Sequence, residues 1–101
     1  MNFSTMPNFW VYILHCQNNA FYTGYTIDLL NRYRAHVEGR AAKYTRSFKP
    51  LGLLAVWPIY GTKAQAMQIE RFIKQLKRKE KQQIIGNPSR LADLILESLI
   101  N

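Results

Sequence analysis

Cysteine is nearly missing from this chain: Cys16 is the only one among 101 residues. A lone thiol excludes an intramolecular disulfide framework and a Cys-based zinc site. It also agrees with a reducing compartment. Acidic residues are scarce too, six against fourteen Lys and Arg, giving a formal net charge of +8. Asp28, Glu80, Asp93 and Glu97 form no metal-ligand pattern with one another. No apolar run reaches the ~18 residues that a membrane-crossing helix needs; the run at residues 9–14 is far too short. No basic segment precedes that run and no cleavage pattern follows it, so a secretory signal is not expected and a cytoplasmic location is. Neither a P-loop nor a dinucleotide-binding glycine fingerprint is present. Repeats, low-complexity tracts and linkers are also missing, so one domain over residues 1–101 is expected.

What is present is apolar and basic. Hydrophobic residues make up 48% of the chain and aromatics 13%, which excludes a disordered chain and provides for a core. The bases fall in two clusters. One holds Arg32, Arg34, Arg40, Lys43, Arg46 and Lys49, interleaved with Tyr33, Tyr44 and Phe48. The other holds Arg71, Lys74, Lys77, Arg78, Lys79 and Lys81. Such clusters attract polyanions, and nucleic acid is the natural partner. The plainer alternative is a solvated basic face.

Periodicity supplies the elements. Residues 1–7 read as a loose leader. Residues 9–16 are a near-continuous run of β-formers, a buried strand. Gln17-Asn18-Asn19 is a hairpin connection, since Asn tolerates the left-handed region, and residues 20–26 are the second strand. Asp28 suits the N-terminus of a helix in which Leu29, Leu30, Tyr33 and Val37 form the apolar stripe; Gly39 is its stop. Residues 40–50, basic and ending in Pro50, read as a loop or irregular turn. Residues 51–60 are the third strand, with Pro58 marking an edge position or a bulge. A helix opens at Gly61-Thr62 with Ala66, Ile69, Phe72, Ile73 and Leu76 as its stripe. A short basic helix spans residues 78–85 and stops at Gly86. A last helix over residues 88–100 buries Leu91, Leu94, Ile95 and Leu99. The expected fold is α+β: a small three-stranded, mostly antiparallel sheet flanked by helices.

Five positions then stand out. Arg32 and His36 lie one helical turn apart, His36 at the edge of the apolar arc and Arg32 just beyond it. Glu70 is the only acid between Glu38 and Glu80. Tyr12 and Tyr22 occupy adjacent strands, and Tyr22 shares its face with Gly24 and Thr26. Each has an ordinary explanation alone. Arg and His can rest their stems on a core edge, Glu70 and Lys74 make an i,i+4 ion pair, and tyrosine is a strand former.

In sequence order, however, these residues resemble a known set. Val11-Tyr12-Ile13-Leu14 and Tyr22-Thr23-Gly24-Tyr25-Thr26 are similar to the paired motifs of the GIY-YIG nuclease superfamily, with Val11 and Thr23 as departures. Arg32 stands ten residues after Tyr22, His36 follows one turn later, and Glu70 matches the acidic position of the next helix. Ala41-Ala42-Lys43-Tyr44-Thr45-Arg46 resembles a segment of the small bacterial members. The resemblance covers about residues 9–80 and omits the second, substrate-reading domain of larger relatives. It implies a metal-dependent endonuclease, acting on DNA more than RNA. Tyr12 would be the general base, Tyr22 would hold the water or the metal shell, Arg32 would grip the phosphate, and His36 would relay a proton or hold the base. Glu70 would bind one Mg²⁺ or Mn²⁺. Arg34, Lys43, Arg46, Lys74, Lys77 and Arg78 would contact the nucleic-acid backbone. The competing reading is a binding module of the same fold without cleavage.

Overall fold

The computed structural model describes residues 6–100. Most of the expected leader, residues 1–5, lies outside the described residues. Three strands, β1 (Phe9–Cys16), β2 (Phe21–Thr26) and β3 (Pro50–Ile59), form one sheet in the order β2-β1-β3. Both pairings are antiparallel. The central place of β1 explains its unbroken apolar run: both faces are covered, and Val11, Ile13 and Leu14 are fully buried. Asn19 takes φ 65° in the β1–β2 turn, as its residue type permits. Pro58 lies near the end of the edge strand β3, opposite Trp10, where a missing N–H costs no ladder bond. The irregularities of the ladder sit instead at Ile13/Leu14 and His15/Cys16.

Five helices follow the expected order: α1 (Leu29–Val37), α2 (Lys43–Ser47), α3 (Lys63–Gln75), α4 (Arg78–Gly86) and α5 (Arg90–Ile100). Asp28 caps α1 by accepting from the Asn31 N–H. Gly39, at φ 76°, ends it: its N–H reaches His36 O and that of Arg40 reaches Ala35 O, the paired bonds of a left-handed helix stop. Thr62 and Gln65 close a reciprocal cap at the start of α3.

The sheet separates two apolar clusters. On one face Val11, Ile13 and Ile59 meet Ala66 and Ile73 of α3, Ile84 of α4, and Leu91 and Leu94 of α5. On the other, Tyr12, Leu14 and Cys16 meet Leu29 and Tyr33 of α1. Burying the eight hydrophobic residues of the first cluster at ~1.5–3 kcal/mol for each large side chain makes it the main source of stability.

Three expectations need correction. Residues 40–50 are not wholly irregular, because α2 forms within them. Its single turn is held by Thr45, which is fully buried, rather than by an apolar stripe. In α1 the buried arc is Leu29, Tyr33 and His36; Leu30 and Val37 are 60% and 43% exposed. His36 keeps its place at one end of that arc, but it is the most deeply buried residue of α1. In α5, Leu99 is 78% exposed, one turn beyond the reach of the core.

Candidate active site

The second face of the sheet carries the chemistry. Alternation along β1 puts Tyr12, Leu14 and Cys16 on that face, and the β1–β2 register sets Gly24 opposite Tyr12 and Tyr22 opposite Leu14. Gly24 has a specific reason to be glycine. A Cβ there would lie 2.6 Å from Tyr12 Cζ and collide with the phenolic oxygen. The missing side chain is what lets the Tyr12 ring lie across β2.

Tyr12, 2% exposed, and His36, 1% exposed, form a buried pair. Tyr12 Oη lies 2.7 Å from His36 Nε2, and His36 Nδ1 lies 2.7 Å from Thr45 Oγ1. The Thr45 hydroxyl is directed at the Ala42 carbonyl, 3.4 Å away. That direction assigns the protons: Thr45 accepts from Nδ1–H, which leaves Nε2 to accept from the tyrosine O–H. A chain of polar groups thus runs from β1 through α1 to α2. Among the described residues, every buried side-chain nitrogen or oxygen has a partner, which is why an imidazole can be the buried residue of α1.

Electrostatics agree with this assignment. Burial, with the Arg32 guanidinium nearby, pushes the His36 imidazole down to about 4, so it is neutral at pH 7 and one ring nitrogen can accept a hydrogen bond. Burial pushes the Tyr12 phenol well above its ordinary value; Tyr22 and Glu70 add to this and Arg32 opposes it. Tyr22 is also pushed up by burial, against the pull of Lys74 and Arg32. The charges of Arg32 and Glu70 thus act on both phenols, which ties five side chains from β1, β2, α1 and α3 into one electrostatic neighbourhood. The Tyr22 ring packs edge-on to His36 with centroids 5.0 Å apart. Arg32 is exposed and faces an open groove of about 370 Å³ that also touches Thr26, Asn31 and Arg40.

Glu70, only 18% exposed, pairs with Lys74 at 3.1 Å. Among the described residues, no three His, Cys, Asp or Glu side chains gather as a metal cluster, so Glu70 would be the sole protein carboxylate for an ion here. That donor set fits Mg²⁺ or Mn²⁺, hard ions that accept one carboxylate and complete their shell with water and substrate phosphate. Burial raises the Cys16 thiol, which is free and unreactive in the apolar cluster below the site.

The expected backbone contacts divide. Lys43 and Arg46 are exposed on α2 beside the site, and Lys74 lies next to Glu70. Lys77 is exposed at the start of α4. Arg34 is exposed on the side of α1 away from its buried arc. Arg78 is not brought to the site: its guanidinium lies 4.0 Å over the Phe21 ring and donates to Asn19 O, on the opposite face of the sheet. Thr45 is the residue that reading by single positions overlooked. Its only sequence signal was its place in the segment Ala41–Arg46.

Comparison with known proteins agrees with the geometry. Residues 8–83 match the family model described as the GIY-YIG catalytic domain. A UPF0213 protein of Halalkalibacterium halodurans is 42% identical over 79 residues, covering 78% of this chain and 83% of the relative. One from Bacillus velezensis is 43% identical over 84 residues, covering 83% and 84%. One from Vibrio cholerae is 35% identical over 94 residues, covering 92% and 93%. A solution NMR structure of a UPF0213 protein from Bacillus halodurans has a TM-score of 0.49 at 39% identity, covering 83% of this chain and 92% of that one. With the motif tyrosines on facing strands and the family model spanning most of its length, the chain belongs to the GIY-YIG family, in the UPF0213 group of small bacterial proteins.

Proposed function

We propose that this protein is a metal-dependent endonuclease that hydrolyses phosphodiester bonds, with DNA as its substrate. The observation that carries the reading is the buried Tyr12–His36–Thr45 chain, in which a neutral imidazole accepts the phenolic O–H; a cation bound nearby would lower the phenol and so favour passage of its proton along that bond. A buried phenol needs a hydrogen-bond partner in any case; an imidazole in that place also offers its proton somewhere to go.

Attack on phosphorus needs a water stripped of a proton and a place for that proton to go. Tyr12 Oη takes the proton from water while its own proton passes to His36 Nε2. Thr45 keeps the resulting imidazolium oriented by accepting from Nδ1–H. Arg32 grips the phosphate with its planar fork and offsets the charge that builds on it. Tyr22 orients the water. Glu70 would hold the ion, and Lys74, its present partner, would then be available to a phosphate. A divalent ion, when bound, supplies positive charge that favours the deprotonated water and stabilises the leaving oxygen. Lys43 and Arg46 hold neighbouring phosphates.

The test is cleavage of a panel of flaps, forks, junctions, single strands and duplexes, with Mg²⁺ or Mn²⁺ and with EDTA. Cleavage is expected with metal only. Glu70→Ala and Arg32→Ala should each abolish it while circular dichroism stays unchanged. Variants that cut as well as the parent would sink the site assignment. A protein that binds DNA steeply with salt, yet shows no Mn²⁺-dependent change in resonances near Glu70, would instead be a binding module.

A further inference from the structure

Beside the site lie two aromatic rings, Tyr44 and Phe48, that the proposed chemistry does not use. Tyr22 stacks on Tyr44 with centroids 6.0 Å apart and planes within 22°. Tyr44 in turn meets Phe48 at 5.3 Å. Both α2-side rings are open to solvent, each 39% exposed. The Asn18 amide donates to Tyr44 Oη at 2.7 Å, which fixes the ring against rotation away from Tyr22. A pre-set ring loses little conformational freedom when something stacks on it. Two exposed cations flank the platform, Lys43 and Arg46, and among the described residues neither has an acidic partner.

Open aromatic faces next to free cations match one kind of partner. A duplex offers phosphates and groove edges, but its base faces are hidden in the stack. Only an unpaired strand presents base faces and phosphates together. We propose that Tyr44 and Phe48 form a stacking platform for unpaired nucleobases, so that the strand entering the site is single-stranded where it is cut. Tyr22 links the platform to His36, with ring centroids 5.0 Å apart, so a base stacked there would lie next to the proposed site. The proposal rests on the reading of the protein as a nucleic-acid enzyme and names its substrate class.

Binding in EDTA tests it without using cleavage. Fluorescence anisotropy of the full chain is measured with three labelled probes: a short thymidine oligonucleotide, an abasic oligomer of the same length and a duplex. The base-bearing strand should bind about 5- to 150-fold tighter than the abasic one for each base that stacks. Phe48→Ala and Tyr44→Leu should remove most of that difference and leave duplex affinity within about twofold. Phe48→Leu keeps an apolar side chain but no π face, so a folded Phe48→Leu protein should also lose the preference. Equal affinity of the parent for thymidine and abasic strands would overturn the platform. So would a loss shared equally by single strand and duplex, or a Phe48→Leu protein that keeps the preference. If the catalytic reading fails instead, the base preference persists in EDTA but no metal produces cleavage.

Discussion

Lowering the pH should destabilise this protein through one buried side chain. In the unfolded chain, the His36 imidazole takes up a proton at its ordinary value near ~6.5. In the fold it does so only near about 4, because burial and Arg32 disfavour the cation. Between those values the unfolded chain binds more protons than the folded one, so stability falls as pH falls. The contribution is whole above the unfolded value. From pH ~7.5 to ~5 the loss works out at about 2 kcal/mol, and it reaches about 3 kcal/mol once the folded imidazole is also protonated. With a urea dependence of ~1–1.5 kcal/mol per molar for a chain of this size, the midpoint should drop by about 1.5 M. Trp10 on β1 and Trp57 on β3 are natural fluorescence probes, the latter bonded through its indole N–H to Pro88 O. The comparison is with His36→Gln, which cannot titrate. Its stability should change by about 2 kcal/mol less over the same interval. If His36→Gln and the parent respond to pH alike, the buried neutral imidazole is refuted.

Other perturbations probe the same architecture. Gly24→Ala should cost about 1–3 kcal/mol, because the new Cβ meets the Tyr12 ring across the β1–β2 ladder and displaces it; urea unfolding reads the loss, and cleavage should fall with it. Thr45→Val removes the acceptor of His36 Nδ1–H in a fully buried place and should cost about 1–3 kcal/mol. Nitrogen-15 spectra of the imidazole should then show a mixture of tautomers, and Thr45→Ser should restore the single one. Arg78→Ala removes a cation held over Phe21 on the opposite face; cleavage should stay within about threefold of the parent, and a loss as deep as that of Arg32→Ala would mean the substrate wraps around the sheet.

The strands and caps were legible because local rules decide them. An apolar run of eight residues names β1 whatever surrounds it, Asn19 sits in the left-handed turn it favours, and Asp28, Gly39 and Thr62 mark helix ends through their own backbone bonds. The stripe of α3 was equally plain, since Ala66 and Ile73 recur at helical spacing and are fully buried. What failed was the phase of α1 and the existence of α2. Hydrophobic periodicity assumes that burial follows apolarity, and it therefore chose Leu30 and Val37 over His36. The resemblance of the five ordered positions supplied the candidate catalytic set, but it could not say that His36 is a core residue.

One cause lies behind both failures. His36 can be buried only if both ring nitrogens are bonded, and its partners are 24 residues before it and nine after it in the chain. Thr45 can be one of those partners only if residues around it turn tightly enough to present its hydroxyl inward, which α2 does in five residues with no apolar stripe of its own. The phase of α1 and the turn of α2 are thus set by the same two hydrogen bonds. A polar chain of this kind costs desolvation that an apolar core would avoid. The helix phase that would best bury Leu30 and Val37 would carry His36 out of reach of Tyr12 and leave the phenolic proton without an acceptor. That α1 instead leaves two aliphatic side chains in water and buries its imidazole means that hydrogen bonding to Tyr12 and Thr45, not apolar packing, sets the phase of this helix.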